Sequence, residues 1–415
     1  MLSTKKQIKL IKIPDKQYTS YRQQVIFQGY KWDPQVYDSN TVSEYAVVLN
    51  EETEQELASL SEELASLSEE LAAETTAIEA QLLADRSLIN ALKLPRRIRN
   101  QLKKHRNYDS SRHIRLMRFD FHPTTEGWQI SEVNSDVPGS FAESSILPEL
   151  AKRYLTDVQE SQKVSEHLLL AFKKRISLGA RIAFVHATSY ADDRQVVQFM
   201  GDHFQHNGYQ AVYLAPDRLS FREGVAYEKD NQTNIQGIVR FFPLEWMLCL
   251  PFRTQWQGFY QTSTVSCNHP FAILTQSKRL PLLFQHLGQP TLWNKLLPET
   301  KAVEALDYED SDYLYKPVFG RVGESITIRE RTSENEFKKI RRDALRFKKE
   351  WIVQKRFDSQ PILTEDGRAF HLCLGVFVID GKFAGIYGRI SSYARIDEKA
   401  QDLPVLIRRK KEGEM

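Results

Sequence analysis

The residue types best suited to chemistry in this chain are gathered in RLMRFDFHPTTEGWQISEVNSD, residues 115–136. Its apolar and polar residues alternate, which predicts two strands joined by a turn at His122–Gly127. On the first strand Arg118 and Asp120 share one face while Met117, Phe119 and Phe121 share the other. On the second, Glu132 and Asn134 share a face with Ile130. An antiparallel pairing with an even register sum puts Arg118, Asp120, Glu132 and Asn134 on one surface, whereas an odd sum scatters them. Two carboxylates and an amide oxygen are hard donors that suit Mg²⁺, and an arginine beside them suits the phosphates such a cation accompanies. The plain alternative is a half-exposed hairpin carrying a cross-strand ion pair. Ser140 and Glu143 follow in SDVPGSFAES, where a Gly-containing turn beside that face makes them candidate substrate contacts.

A second constellation is Lys316, Gly320, Arg321 and Gly323 in YLYKPVFGRVGESITIRE, read as strand, glycine-rich turn and strand. Glycines let backbone N–H groups approach phosphate oxygens, and the lysine and arginine supply the offsetting charge. An ordinary hairpin turn explains the same pattern equally well. No GxxxxGK[ST] motif leads into a helix and no GxGxxG follows the 181–187 run, which excludes P-loop and dinucleotide-binding folds as sources of nucleotide affinity. Lys278, in TQSKRLPLL, reads by itself as a solvated cation at a helix start. Asp192 and Asp193 open a helix after an apolar run, a place where paired acids suit a cationic amine or, as readily, the helix dipole.

The elements that must hold these residues are legible from period and punctuation. ARIAFVHA, ADDRQVVQFMGDHFQHNG and YQAVYLAP read as strand, helix and strand of a parallel βαβ unit, extended by IQGIVRFFP. Pro148 to about Ser177 reads as helical. A charged helix is expected around Glu334–Lys349, then a strand in EWIVQKRF and a hairpin about Asp380–Gly381. The tandem ELASLSE duplication at 56–69 spaces Leu57, Leu60, Leu64, Leu67 and Leu71 as one apolar seam. The seam weakens before Pro95, so an amphipathic helix docked on its own domain is preferred to a zipper joining a homodimer.

The chain has 415 residues, enough for two or three packed units at roughly 150 residues each. With 41% hydrophobic and 27% charged residues it is neither disordered nor a disulfide scaffold. Its 57 Lys and Arg nearly cancel 54 Asp and Glu, so any anion must be met by a local cluster. The basic run Lys338–Lys349 lacks aromatic interleaving, and no nucleic-acid partner is expected. Three scattered cysteines without CxxC spacing fit a reducing compartment, read as cytoplasmic, and no run is apolar enough to predict a membrane span.

Taken in order, RFDF, EVNSDVPGS, SKRLPLL, LYKPVFGRVG, IVQK and AGIYGRI resemble the synthetase domain of the glutathionylspermidine synthase family, a branch of the ATP-grasp ligases. With KWDPQVYDSNTVSEYAVVL upstream, the resemblance covers roughly residues 25 to 410, and it lacks the amidase domain of bifunctional members. It implies an α/β and α+β chain with an ATP-grasp fold. The implied regions are an N-terminal part over 1–110, a metal-ligand hairpin and helix over 111–178, a βαβ pre-ATP-grasp-like unit over 179–270, and nucleotide-binding lobes over 271–415. It further implies Asp120, Glu132 and Asn134 as magnesium ligands and Arg118 as a phosphate contact. Lys278 and Lys316 would hold ATP phosphates, with Gly320, Arg321 and Gly323 on a loop closing over them. Gln354 and the backbone at Lys355 match the adenine edge, and Arg389 lies near the transferred phosphoryl group. The implied activity is ATP- and Mg²⁺-dependent joining of a glutathione-like or small peptide carboxylate to an amine such as a polyamine. The loop reads RVG where the family has REG, and GRIS lacks the acidic residue that follows the family's arginine. These departures motivate a second reading, a nucleotide-binding or scaffold protein that keeps the fold with weakened turnover.

Overall fold

The computed structural model describes residues 8–32, 35–36, 39–49, 59–104, 109–251, 254–306, 312–320 and 332–408. Arg321, Gly323, the first three residues of the leucine duplication and the basic tail after Arg408 lie outside the described residues.

The central layer is an antiparallel sheet in the order 401–403, 382–391, 369–379, 116–124 and 127–134, with 362–363 added against 369–379. The strand Leu116–Thr124 is buried along its whole length because a strand lies on each side of it. Gly127–Asn134, at the edge of the sheet, mixes buried and half-buried residues, so only the first strand departs from the half-exposed hairpin considered from sequence. The turn is tighter than His122–Gly127: pairing runs to Thr124 opposite Gly127. Asp380 and Gly381, with φ of 50° and 77°, make the two-residue connection of the 369–391 hairpin. Positive φ at both central positions matches the right-handed twist of the flanking strands.

The βαβ unit folds as its sequence implies. Arg181–His186, the helix Ala191–His206 and Gln210–Leu214 are joined by Gly237–Phe241 and Val265–Cys267, every pairing parallel. Asp192 and Asp193 stand in the first turn of that helix, at the carboxyl end of the first strand. A small antiparallel sheet of 300–301, 351–355 and 313–317 carries Lys316 and Gln354, packed beside the charged helix Glu334–Arg346.

The Pro148–Ser177 helix is not continuous. Pro148 lies inside a helix spanning Phe141–Ala151, the chain then forms the short strand Val158–Glu160, and a second helix covers Val164–Lys173. The intervening strand pairs with Leu406–Arg408, a tertiary partner that overrides the local period. Ser140 and Glu143 are accordingly not on a turn. Ser140, at φ 73°, precedes the helix and Glu143 is in its first turn.

The leucine seam forms the helix Leu60–Ala84, started by a capping box between Ser59 and Glu62. Leu60, Leu64, Leu71, Ile78 and Leu82 are buried on a helix that packs against the 369–391 hairpin and the helices Ile273–Gln276 and Thr291–Leu296. Its carboxylates fix the docking: Glu74 accepts from the backbone N–H groups of Leu292 and Trp293 at 3.0 Å each. Glu79 pairs with Arg115 and accepts from Thr275 Oγ1 at 2.6 Å. This is the docked arrangement preferred from sequence. Among the described residues no helix is long and apolar enough to cross a membrane.

Candidate functional site

The register decides the site. Arg118 pairs with Asn134 and Asp120 with Glu132, both even sums, and the shift of one residue comes only after Asp120. All four side chains therefore share a face. Across the neighbouring strands Asp120 lies opposite Gly375, and Gly375 opposite Tyr387. A Cβ at Gly375 would sit 1.9 Å from the Tyr387 ring and 2.9 Å from Arg118 Cδ, so the absence of a side chain lets the ring and the guanidinium pack together. Arg118 stacks over Tyr387 at 4.9 Å from the ring centre.

This face floors a cleft of about 1070 Å³ lined by Arg118, Asp120, Glu132, Asn134, Lys316 and Gln354. Ser140, Glu143, Asp192, Asp193, Lys355 and Arg389 also line it. Lys278 and Gly320 are not in the lining. Lys278 stands behind Glu132, its Nζ 2.9 Å from Glu132 Oε2 and donating to Gly320 O at 2.6 Å. Its side chain is only 10% exposed, so it is not the solvated cation of the plain sequence reading. Lys316 Nζ donates to Ser131 O at 3.1 Å and to Gln354 Oε1 at 2.6 Å, and Gln354 donates on to Thr300. The two lysines and the hairpin thus meet in one place.

Arg118 grips Asp120 with both arms, Nε to Oδ1 at 2.7 Å and Nη2 to Oδ2 at 2.9 Å, and Asn134 donates to the same Oδ2 at 3.1 Å. Burial opposes the charged carboxylate of Glu132, but Lys278 and Lys316 outweigh it and hold its pKa well below the ordinary value. Burial pushes Asp120 upward, with Glu132 adding to the rise and Arg118 pulling against it. Lys316, with neutral acceptors only, is brought down to about 8, chiefly by burial. His122, whose ring faces Ser131 Oγ at 3.0 Å, is lowered to about 3 by burial and by Lys316, and so stays neutral.

Asp120, Glu132 and Asn134 offer the hard oxygen donors that Mg²⁺ takes. Oxygens of Asp120 face Arg118 and Asn134, and one of Glu132 faces Lys278; among the described residues no three His, Cys, Asp or Glu side chains form a ready cation cage. The donor set fits the ion, while the arrangement is charge-paired within the protein.

Arg389, on the strand Lys382–Ser391, also faces the cleft, with Nε 3.7 Å from Asp402 Oδ1 and a hydrogen bond to Asp397 O. The backbone N–H of Lys355 is already bonded to Glu299 O at 2.7 Å. Lys31 and Asp402 also line the cleft and were not singled out from sequence. Lys31 pairs with Glu143 and Asp402, partners 112 and 371 positions away, so no spacing could have announced it.

The model of the glutathionylspermidine synthase pre-ATP-grasp family matches residues 12–408. Among solved structures the chain is similar to a glutathione synthetase-like effector from Globodera pallida in its apo form. The two share 12% identity over 95% of this chain and 98% of that one, with a TM-score of 0.62. It also matches a candidate gamma-glutamylcysteine synthetase from Methylobacillus flagellatus at 12% identity, over 82% and 88% of the two chains and a TM-score of 0.41. No curated protein matches it. The first likeness shows a shared fold, in agreement with the α/β and α+β ATP-grasp class read from sequence.

Proposed function

The chain belongs to the glutathionylspermidine synthase pre-ATP-grasp family, and on that premise we propose that it is an ATP-dependent carboxylate–amine ligase. One observation carries the reading: Lys278 and Lys316, from the later lobes, touch the hairpin at Glu132 and Ser131 beside a cleft of small-molecule size. Arg118, Lys278 and Lys316 would bind the triphosphate, exchanging protein carboxylate and carbonyl partners for phosphate oxygens. Asp120, Glu132 and Asn134 are the residues that would hold Mg²⁺, whose bound charge offsets that of the phosphates.

The reaction activates a carboxylate of a small peptide or glutathione-like acid. A carboxylate oxygen attacks the γ-phosphorus, ADP leaves, and an acyl phosphate forms. The amine nitrogen then attacks the acyl carbon, loses a proton and expels phosphate, giving an amide. The chain's contribution is positioning and charge balance, with Arg118 and Arg389 facing the cleft where charge develops and with no covalent nucleophile required. Phosphate release from Mg²⁺-ATP, screened over glutathione, short peptides, amino acids and amines, tests this. Release that needs both an acid and an amine supports it, and no release with any pair contradicts it.

A second reading, nucleotide binding with weakened turnover, is favoured by the internal pairing of the carboxylates and by RVG in place of REG. Stoichiometric ATP binding without ADP formation across the same panel would select it.

A further inference from the structure

Among the residues lining the cleft is a charged group that the reaction does not require. Lys31 follows the helix Asp15–Gln28 and reaches into the cleft, its side chain 15% exposed. Its ammonium lies 3.0 Å from Glu143 Oε1 and 2.6 Å from Asp402 Oδ2. Those carboxylates come from separate elements, the helix Phe141–Ala151 and the strand Gln401–Leu403. Arg389 reaches Asp402 from a third, at 3.7 Å.

The segment bearing Lys31 is tied down on both sides. Tyr30 donates its hydroxyl to Asp202, and the Trp32 N–H donates to Gln195 Oε1 at 3.0 Å. Both acceptors are on the helix that opens with Asp192 and Asp193. Tyr30, at φ 57°, makes the sharp bend that turns Lys31 inward. The lysine is thus held in place from flanking positions as well as by its own charge.

A primary ammonium between two carboxylates is also how an acceptor with a second amino group would be recognised. Resting on the ligase reading of this cleft, we propose that Lys31 is a specificity residue that fills this ammonium position itself and bars polyamines. The acceptor is then an amine whose remaining part carries no positive charge. A polyamine would have to break two buried ion pairs and leave a lysine unpaired, whereas a neutral or zwitterionic amine leaves the trio intact.

Equilibrium dialysis with radiolabelled spermidine, without ATP, tests the proposal on the full chain. Wild type and Lys31→Arg are expected not to retain spermidine, while Lys31→Ala is expected to bind it roughly tenfold more tightly or better. Lys31→Gln, which keeps a donor for the carboxylates, is read in the same way should the alanine variant fail to fold. Spermidine binding by wild type as tight as by either variant would overturn the proposal, as would folded variants that bind none. A purely structural lysine would give no gain of binding. Because dialysis needs no turnover, failure of the ligase reading shows up separately, as absence of phosphate release.

Discussion

Lys278 Nζ stands 2.9 Å from Glu132 Oε2, joining the segment after the helix Ile273–Gln276 to the hairpin that carries Asp120 and Asn134. With Lys316 bonded to Ser131 across 185 positions, this contact closes the site from behind. Lys278, which pairs with Glu132, and Lys316, which is bonded to neutral oxygens beside it, are the groups available to phosphates when a cation takes the carboxylates.

Lys278→Met leaves Glu132 with a single nearby lysine. The folded protein is expected to lose roughly 2–4 kcal/mol in urea denaturation, because a mostly buried carboxylate is left short of charge. ATP affinity is expected to fall with it. Unchanged stability together with unchanged affinity would show that the pair has no part in the site.

The Lys316 ammonium, brought to about 8 mainly by burial, gives two opposite pH trends. Below that value it is charged and able to hold phosphate, so ATP affinity is expected to weaken as pH rises through about 8. Between about 8 and 10.5 the unfolded chain binds the proton that the folded chain has lost, so this residue favours folding increasingly as pH rises. ATP titrations across the interval check the first trend, with Lys316→Arg expected to remain flat. A wild-type affinity that does not vary with pH would contradict it.

Gly375→Ala places a methyl against Tyr387 and Arg118. Overpacking of this kind is expected to cost about 1–3 kcal/mol and to weaken ATP binding by displacing the guanidinium. Thermal unfolding and ATP titration measure both, and a variant with wild-type ATP affinity would remove Arg118 from the phosphate site.

Leu71→Ala, at a fully buried position of the docked helix, is expected to cost about 2–5 kcal/mol without changing the sedimentation coefficient. Dissociation of a larger species on mutation would instead place the seam between two copies.

The hairpin was readable because period-two alternation and register parity are local properties: once Arg118 and Asn134 pair, the face is fixed. The βαβ unit and the Asp380–Gly381 turn were readable for similar reasons, strand and helix periods in one case and two positive-φ positions in the other. The break in 148–177 was not, because Val158–Glu160 becomes a strand only through Leu406–Arg408. Lys31 and Asp402 were missed because what makes them part of the site is a tertiary meeting of distant segments. The charge pairing of Asp120 with Arg118 was also outside the reach of spacing, which places both on a face but does not set their rotamers.

The most direct measurement is ATP binding by calorimetry, with and without Mg²⁺, in wild type and Glu132→Gln. The expected result is that Mg²⁺ tightens ATP binding to wild type and loses most of that effect in the variant. Equal Mg²⁺ dependence in both proteins, or no ATP binding by wild type, would contradict a shared site for the hairpin carboxylates and the triphosphate.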